Sequence, residues 1–208
     1  MEYKNNPLFC ELLTTGDEWQ KVHPHYNVPL DYDEIIALSL ITIGLDDEIV
    51  HINHQLYKPR RKSMDELAHY RTGYTDDMLA DMPVFDKTER NGIQKIFDEA
   101  TSIVGFNIVE KLYYLKNEGI NIDNEKVIEL NNKNENGKYF SSIEDLCDYY
   151  EVPHISFKPD PVFPPPIHTG IRCYEMEELY RCICNKEKYK AQKANNNPND
   201  IDDEGVPF

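Results

Sequence analysis

Hydrophobic residues are gathered into a few short segments, and their spacing predicts an alternation of strands and helices. Residues 34–43 form an almost continuous apolar run, which is typical of a strand covered on both faces. Residues 9–16 predict a buried strand that runs into a turn, and residues 102–105 predict a short buried strand. These three segments are expected to form the interior of a sheet.

Segments with helical spacing lie between and after the predicted strands. In residues 85–100 the apolar side chains recur at helical intervals, and in residues 107–117 Leu112 and Leu115 share one face. A last helix is predicted from about residue 171 to about residue 193. Because helices are expected to cover the sheet, the pattern predicts an α/β fold.

Three polar segments interrupt this pattern. Residues 131–138 are rich in Asn, Lys and Glu, which predicts a mobile surface loop. Five of the eight residues in 159–166 are proline, so this segment is expected to be extended. Residues 195–199 are polar and have nothing to bury, which separates the carboxyl end from the rest of the chain.

The composition agrees with one compact domain. The chain has 208 residues, of which 40% are hydrophobic, enough to bury a substantial core. Its formal net charge of −16 disfavours extensive contacts with nucleic-acid phosphates. Lys58, Arg60, Arg61 and Lys62 form the only dense basic cluster, so any nucleic-acid groove is expected to be local. A short charge run of this kind is more often a solvated loop.

Five cysteines at irregular spacing favour a reduced, cytoplasmic setting over a disulfide framework. Cys182 and Cys184 are too close for a helical metal pair. A zinc site that combines them with His168 and Cys173 fits no common spacing, so buried helix cysteines are the favoured interpretation. No apolar run is long enough to span a membrane, and residues 1–7 lack the regions of a signal peptide, so no membrane partner is expected.

The first predicted strand carries a recognisable motif. Residues 9–16 read Phe-Cys-Glu-Leu-Leu-Thr-Thr-Gly. They resemble the Asp-x-Glu-Thr-Thr-Gly opening of the DnaQ-like 3′→5′ exonucleases, the family of the epsilon proofreading subunit, in which the Asp and Glu hold catalytic metal. In this sequence the two positions are Glu11 and Leu13.

Further segments resemble the family in the same order, over about residues 7–186. Residues 34–43 and 48–57 resemble its second and third strands. The strongest match is 71–85, which is similar to a His-Gly-Ile-Thr-Asp-Glu-Met-Leu segment, although Thr72 stands where the family has His. Three more matching segments follow, at 104–115, 142–152 and 168–173.

The resemblance implies a three-layer α/β/α ribonuclease H-like fold with a mixed central sheet. We expect this degenerate exonuclease-like domain to occupy residues 1–186. A disordered linker and an acidic tip are expected in residues 187–208.

The resemblance also implies a metal site, and this sequence has lost most of it. Of the four expected acids only Glu11 is acidic, and the others are Leu13, Lys111 and Cys173. Mg²⁺ and Mn²⁺ prefer several carboxylate oxygens, whereas an ammonium repels even a unit positive charge about 4 Å away by about 4 kcal/mol at an intermediate dielectric. We therefore expect no bound cofactor and interpret the chain as a pseudo-exonuclease in which Lys111 occupies the vacated position. His168, the family's general base, is retained. The alternative is a rebuilt Mg²⁺ or Mn²⁺ site that uses nearby acids such as Glu110 or Glu175.

Other positions are expected to line the path of a single strand, because the matching positions of the family lie beside the terminal nucleotides. These positions are Thr14, Thr15, Tyr74, Asn107 and His168. Lys111 is expected to contact a phosphate where a metal would lie in the family. For Tyr74, base stacking and core packing are the two interpretations.

The carboxyl end, residues 200–208, is called the acidic tip below. It resembles the tip of bacterial single-stranded DNA-binding proteins, which ends in several Asp residues, an aliphatic residue, Pro and Phe. The residues expected to bind a partner are Asp202, Asp203, Glu204, Val206, Pro207 and Phe208. A terminal ring enters an apolar pocket while the acids lie along a basic ridge. An ordinary acidic tail is the alternative.

Three hypotheses follow from these features. The first is an inactive exonuclease fold that binds single-stranded DNA and recruits replication or repair proteins, those with a pocket for such tips, through the acidic tip. The second is an adaptor or decoy, encoded by a phage or mobile element, that uses the tip and does not bind DNA. The third is residual metal-dependent 3′→5′ exonuclease activity.

Overall fold

The structure, a computed structural model, describes part of the chain. The described residues are 6–16, 33–44, 49–61, 63–64, 66–132, 137–154 and 169–196. Side chains are not described at 49–51, 67 and 186–196. His168, the proline-rich segment, the acidic tip and residues 133–136 of the predicted loop lie outside the described residues.

Five strands in the described part form one sheet in the order β3-β2-β1-β4-β5. The strands are β1 (Pro7–Thr14), β2 (Ile35–Ile43), β3 (Ile49–Leu56), β4 (Ser102–Gly105) and β5 (Val127–Glu129). β2 is antiparallel to both β1 and β3, whereas β4 is parallel to β1 and to β5. The sheet is therefore mixed, and β1, β3, β4 and β5 all end at one edge, which we call the carboxyl edge.

The described α-helices are α1 (Glu66–Thr72), α2 (Asp76–Leu79), α3 (Lys87–Glu99), α4 (Ile108–Asn117), α5 (Ile143–Tyr150) and α6 (Thr169–Asn196). Short polar side chains begin three of them. The Asp86 carboxylate accepts hydrogen bonds from the backbone N–H groups of Thr88 and Glu89, and the hydroxyls of Thr75 and Ser142 cap α2 and α5 in the same way. These caps satisfy backbone donors that a helix leaves without an intrahelical partner.

The helices cover both faces of the sheet because alternate residues of β1 point to opposite sides. Leu8, Cys10 and Leu12 pack into a core with α3 and α4, whereas Phe9 packs into a second core with α5 and α6. All nine residues of β2 are buried, as its unbroken apolar run predicts. The three-layer α/β/α arrangement expected from the sequence is confirmed.

The predicted strands and longer helices are present, with small changes at their ends. α6 starts at Thr169 rather than near residue 171 and continues through residue 196, past the domain boundary predicted at 186. The short elements α1, α2 and β5 were not predicted. Within the described part of the chain, every helix is too short or too polar to cross a lipid bilayer.

Gly105, the last residue of β4, should be intolerant of a larger side chain. A Cβ atom there would lie 2.8 Å from Cδ1 and 2.9 Å from Cβ of Ile108, so we expect Gly105→Ala to lower the free energy of unfolding by about 1–3 kcal/mol. Gly92→Ala is the control, because no atom lies within 4 Å of its added Cβ and alanine favours a helix by about 1 kcal/mol. Urea unfolding measures both variants. Equal stability of the two would contradict the close packing of β4 on α4.

Candidate functional site

A buried ion pair joins β1 to α4. The Nζ atom of Lys111 lies 2.5 Å from Oε1 and 2.7 Å from Oε2 of Glu11. Glu11 is 7% exposed and Lys111 is 8% exposed, so water screens neither charge well. At these distances the ammonium holds both carboxylate oxygens, which are the atoms that a metal ion would need.

Cys173 completes this cluster from α6. It is fully buried, and its Sγ lies 3.5 Å from the carbonyl oxygens of Phe9 and Ser39. Burial raises the pKa of the Cys173 thiol, and the negative charge of Glu11 raises it further. A thiol is also a poor ligand for hard cations such as Mg²⁺ and Mn²⁺. The fold brings Glu11, Lys111 and Cys173 together, as the motifs predict.

Leu13, the fourth position, belongs to a different environment. It packs against a small core formed by Ile36, Tyr74 and Leu79. A hydrocarbon side chain offers no ligand atom to a cation. This position therefore contributes to packing between β1, β2 and α2.

The side chains at these positions do not fit a pair of divalent ions. Only Glu11 has the hard oxygen ligands that Mg²⁺ and Mn²⁺ prefer, and both of its oxygens face Lys111. Glu175, one alternative ligand, is buried and binds the Arg172 guanidinium, with Nη1 2.9 Å from Oε2. Glu110, the other, is half-buried on α4. Among the described residues, no group of three or more His, Cys, Asp or Glu side chains is placed to hold a metal ion.

A hydrogen-bond network beside the ion pair was not predicted from the sequence. Ser39 lies opposite Glu11 in the β1–β2 pairing and opposite His54 in the β2–β3 pairing. Its Oγ lies 2.6 Å from both Nδ1 of His54 and Oγ1 of Thr169, and the two hydroxyl residues are fully buried. The network fastens the first residue of α6 to the sheet. Ser39 is one of two polar residues in the apolar run of β2, and this was the only sequence signal for it.

Thr14 and Thr15, two of the expected strand-lining residues, lie at the carboxyl edge but are almost inaccessible. Their exposed fractions are 2% and 0%. The Thr14 hydroxyl donates to the carbonyl oxygen of Gly16, and the Thr15 hydroxyl accepts a hydrogen bond from the backbone N–H of Glu34. Both hydroxyls are thus used inside the protein.

Tyr74 is 5% exposed and packs against Ile36 and Leu79. Burial also raises the pKa of its phenol. Of the two interpretations that the sequence allowed, core packing describes this position. A stacking role for the ring stays a prediction.

Asn107 connects β4 to α4 in the left-handed conformation, with φ of 51°. Its backbone N–H and that of Ile108 donate to the Glu129 carboxylate, each over 2.8 Å. The amino-terminal end of a helix is a frequent binding site for phosphate. In this protein the end of α4 holds a carboxylate of the chain itself.

Two of the four residues in the basic cluster predicted from the sequence lie beside carboxylates. Arg60 lies 3.3 Å from one carboxylate oxygen of Glu34 and 3.4 Å from one of Glu118, and Arg61 lies 3.9 Å from Glu118. The Glu34 carboxylate also accepts the backbone N–H groups of both arginines. Lys62 lies outside the described residues. Two of the cluster's cations therefore sit beside carboxylates.

The described structure is similar to solved structures of exonuclease I. One, from E. coli and in complex with a dT13 oligonucleotide, is 13% identical, with a TM-score of 0.59 over 91% of this chain and 43% of that chain. Another exonuclease I structure is 13% identical, with a TM-score of 0.64 over 93% and 44% of the two chains. A third, an ExoI/SSB-Ct complex, is 15% identical, with a TM-score of 0.54 over 91% and 46%.

Sequence comparison adds no relative: no protein-family model matches, and no curated protein is similar enough to count as one. At this low identity, the structural likeness establishes the fold alone. The chain has the ribonuclease H-like exonuclease fold, which confirms the predicted fold class. It spans less than half the length of the exonuclease I structures that it matches.

Removing one partner of the buried ion pair should lower the free energy of unfolding more than removing both partners. Lys111→Met leaves the Glu11 carboxylate buried without its cation, and we expect a loss of about 3–5 kcal/mol in the free energy of unfolding. The double variant Glu11→Leu/Lys111→Met should recover most of this loss, because no charge remains to be buried. Chemical denaturation of the wild type, Lys111→Met, Glu11→Leu and the double variant gives the coupling energy between the two side chains. A coupling energy near zero would show that the two side chains do not form a buried pair.

Proposed function

We propose that this chain is a catalytically inactive exonuclease-fold protein that binds single-stranded DNA and recruits replication or repair proteins through its acidic tip. The supporting observation is the Glu11–Lys111 ion pair. An ammonium group on the one acid retained from the metal-binding pattern takes the place of a divalent ion. The protein thereby keeps the exonuclease fold without the metal ions that would activate water.

The single-strand part of this proposal is supported by the fold. An exonuclease I with the same fold is described in complex with dT13, which is a single strand of thymidines. In this chain Thr14, Thr15 and Asn107 lie at or just after the ends of β1 and β4, and Lys111 lies one turn into α4. The resemblance to the exonuclease family implies that a single strand passes beside these positions. His168, which lies outside the described residues, is proposed to line the same strand.

The recruitment part is supported by the sequence of the acidic tip. The residues from Asp202 to Phe208 combine acids, an aliphatic residue, a proline and a terminal ring. A protein of the same fold is described in an ExoI/SSB-Ct complex, so a tip of this chemistry is one that a folded partner can bind. We propose that proteins with such a pocket are the partners of this chain. Proline at position 207 limits the entropy lost when the tip is bound.

A second candidate function is the adaptor that uses the tip and does not bind DNA. It is favoured by the net charge of −16 and by the carboxylates beside Arg60 and Arg61, since both reduce attraction to phosphate. Residual exonuclease activity has weaker support, because the retained acid is paired with Lys111.

Binding and cleavage assays with labelled oligothymidine separate these functions. We expect the full chain to bind the strand at low salt and to release no nucleotides when Mn²⁺ is added. Deletion of residues 200–208 should strengthen binding severalfold, because the deleted acids no longer repel the phosphates of the strand. Electrophoretic shift and denaturing gels measure the two outcomes.

Absence of a shift at low salt for both the full and the shortened chain would leave only the adaptor function. Nucleotide release that His168→Ala abolishes would establish residual exonuclease activity and refute the proposal.

A further inference from the structure

Three of the described cations near the carboxyl edge are poorly placed to hold a phosphate backbone. Lys111 is paired with Glu11, and Arg60 and Arg61 lie beside Glu34 and Glu118. The amino-terminal end of α4 holds the Glu129 carboxylate. A protein with a net charge of −16 and this arrangement needs another source of affinity for a single strand.

Three aromatic rings near the same edge contact one another, those of Phe140, Tyr149 and Tyr150, and Tyr139 adjoins Phe140 in the chain. We call these four residues the aromatic patch. The ring centroids of Phe140 and Tyr149 are 5.2 Å apart, and those of Tyr149 and Tyr150 are 5.1 Å apart. Phe140 and Tyr150 pack against the core between the sheet and helices α5 and α6. Tyr139 and Tyr149, by contrast, are 63% and 43% exposed. The partly buried rings of Phe140 and Tyr150 thus support the exposed ring of Tyr149.

Asn131 joins the aromatic patch to the carboxyl edge. Its Nδ2 donates to Oδ1 of Asn107 over 2.8 Å and to the carbonyl oxygen of Phe140 over 3.1 Å. Its Oδ1 accepts the backbone N–H of Phe140 over 2.9 Å. Because Asn107 follows β4 and Asn131 lies just after β5, the patch lies beside Asn107, one of the expected strand-lining residues, at the carboxyl edge.

We propose that the aromatic patch is a stacking platform for the bases of single-stranded DNA, and that this chain holds the strand through its bases more than through its phosphates. The inference rests on the proposed function. Every base has a flat π face, so stacking on tyrosine tolerates any sequence and requires no cation. The exposed acids of α5 next to the patch, Asp145 and Asp148, disfavour phosphate but leave base stacking intact.

Fluorescence anisotropy with oligothymidine and an abasic oligonucleotide of the same length tests this inference on the full chain. Because the two ligands carry the same charge, phosphate contacts alone would hold them equally. We expect the abasic strand to bind at least about tenfold more weakly. We also expect the binding constant to fall only slightly as the salt concentration rises. The slope of its logarithm against the logarithm of salt concentration should correspond to about two phosphate contacts or fewer, at roughly −0.7 for each contact.

Substitutions in the patch give the second arm of the test. Tyr139→Ala and Tyr149→Ala should each weaken oligothymidine binding by about tenfold, whereas Tyr139→Phe, which keeps the ring, should weaken it far less. Tyr70→Ala is the matched control, because Tyr70 is 44% exposed on α1, away from the patch. Thermal unfolding of each variant checks that the fold is kept.

Equal binding of the two oligonucleotides, or unchanged affinity in both alanine variants, would overturn the stacking platform while leaving single-strand binding intact. A wild type that binds neither oligonucleotide would overturn both the platform and the proposed function. A uniform loss of affinity that includes Tyr70→Ala would likewise count against a role specific to the patch.

Discussion

The contact between Lys111 and Glu11 is the constraint on which this account of the site depends. A carboxylate buried on the middle strand of a sheet requires compensation, and in an exonuclease of this kind a metal ion would supply it. Here the compensating charge belongs to a side chain of the protein itself. The Nζ atom of Lys111 lies 2.5 and 2.7 Å from the two oxygens of Glu11. A permanently bound ammonium of this kind cannot be exchanged for a divalent ion without leaving a second buried charge unpaired.

The other departures from the metal-binding pattern are consistent with this exchange. Cys173 fills its position as an apolar side chain in the core, and Leu13 packs against Ile36 and Tyr74. Beside them, the contact of Ser39 with His54 and Thr169 fixes the start of α6 to the sheet. The positions that the motifs single out therefore serve packing and charge balance in this fold. In the proposed function, shape and exposed aromatic surface hold the nucleic acid more than charge does.

Much of the fold could be predicted from the sequence, because long apolar runs and helical spacing dictate β1, β2, α3 and α4 directly. The short elements could not be predicted: α2 has four residues and β5 has three, so neither is long enough for a repeating pattern to be recognised, and β5 is defined by its pairing with β4. The motifs placed Glu11, Lys111 and Cys173 correctly in one site. They did not reveal which atoms are in contact. Nor did they reveal the contacts of Ser39 with His54 and Thr169, which lie far from it in the sequence, because such contacts depend on strand register and helix placement.

Titration calorimetry with Mn²⁺ measures whether Lys111 keeps divalent ions away from Glu11. The full chain is compared with the Glu11→Gln/Lys111→Met double variant, which removes both charges of the pair. We expect the wild type and the variant to give the same heats, with no saturable binding at the site, because the carboxylate is already neutralised by Lys111. Saturable binding of about two ions per chain that is present in the wild type and absent from the variant would contradict it.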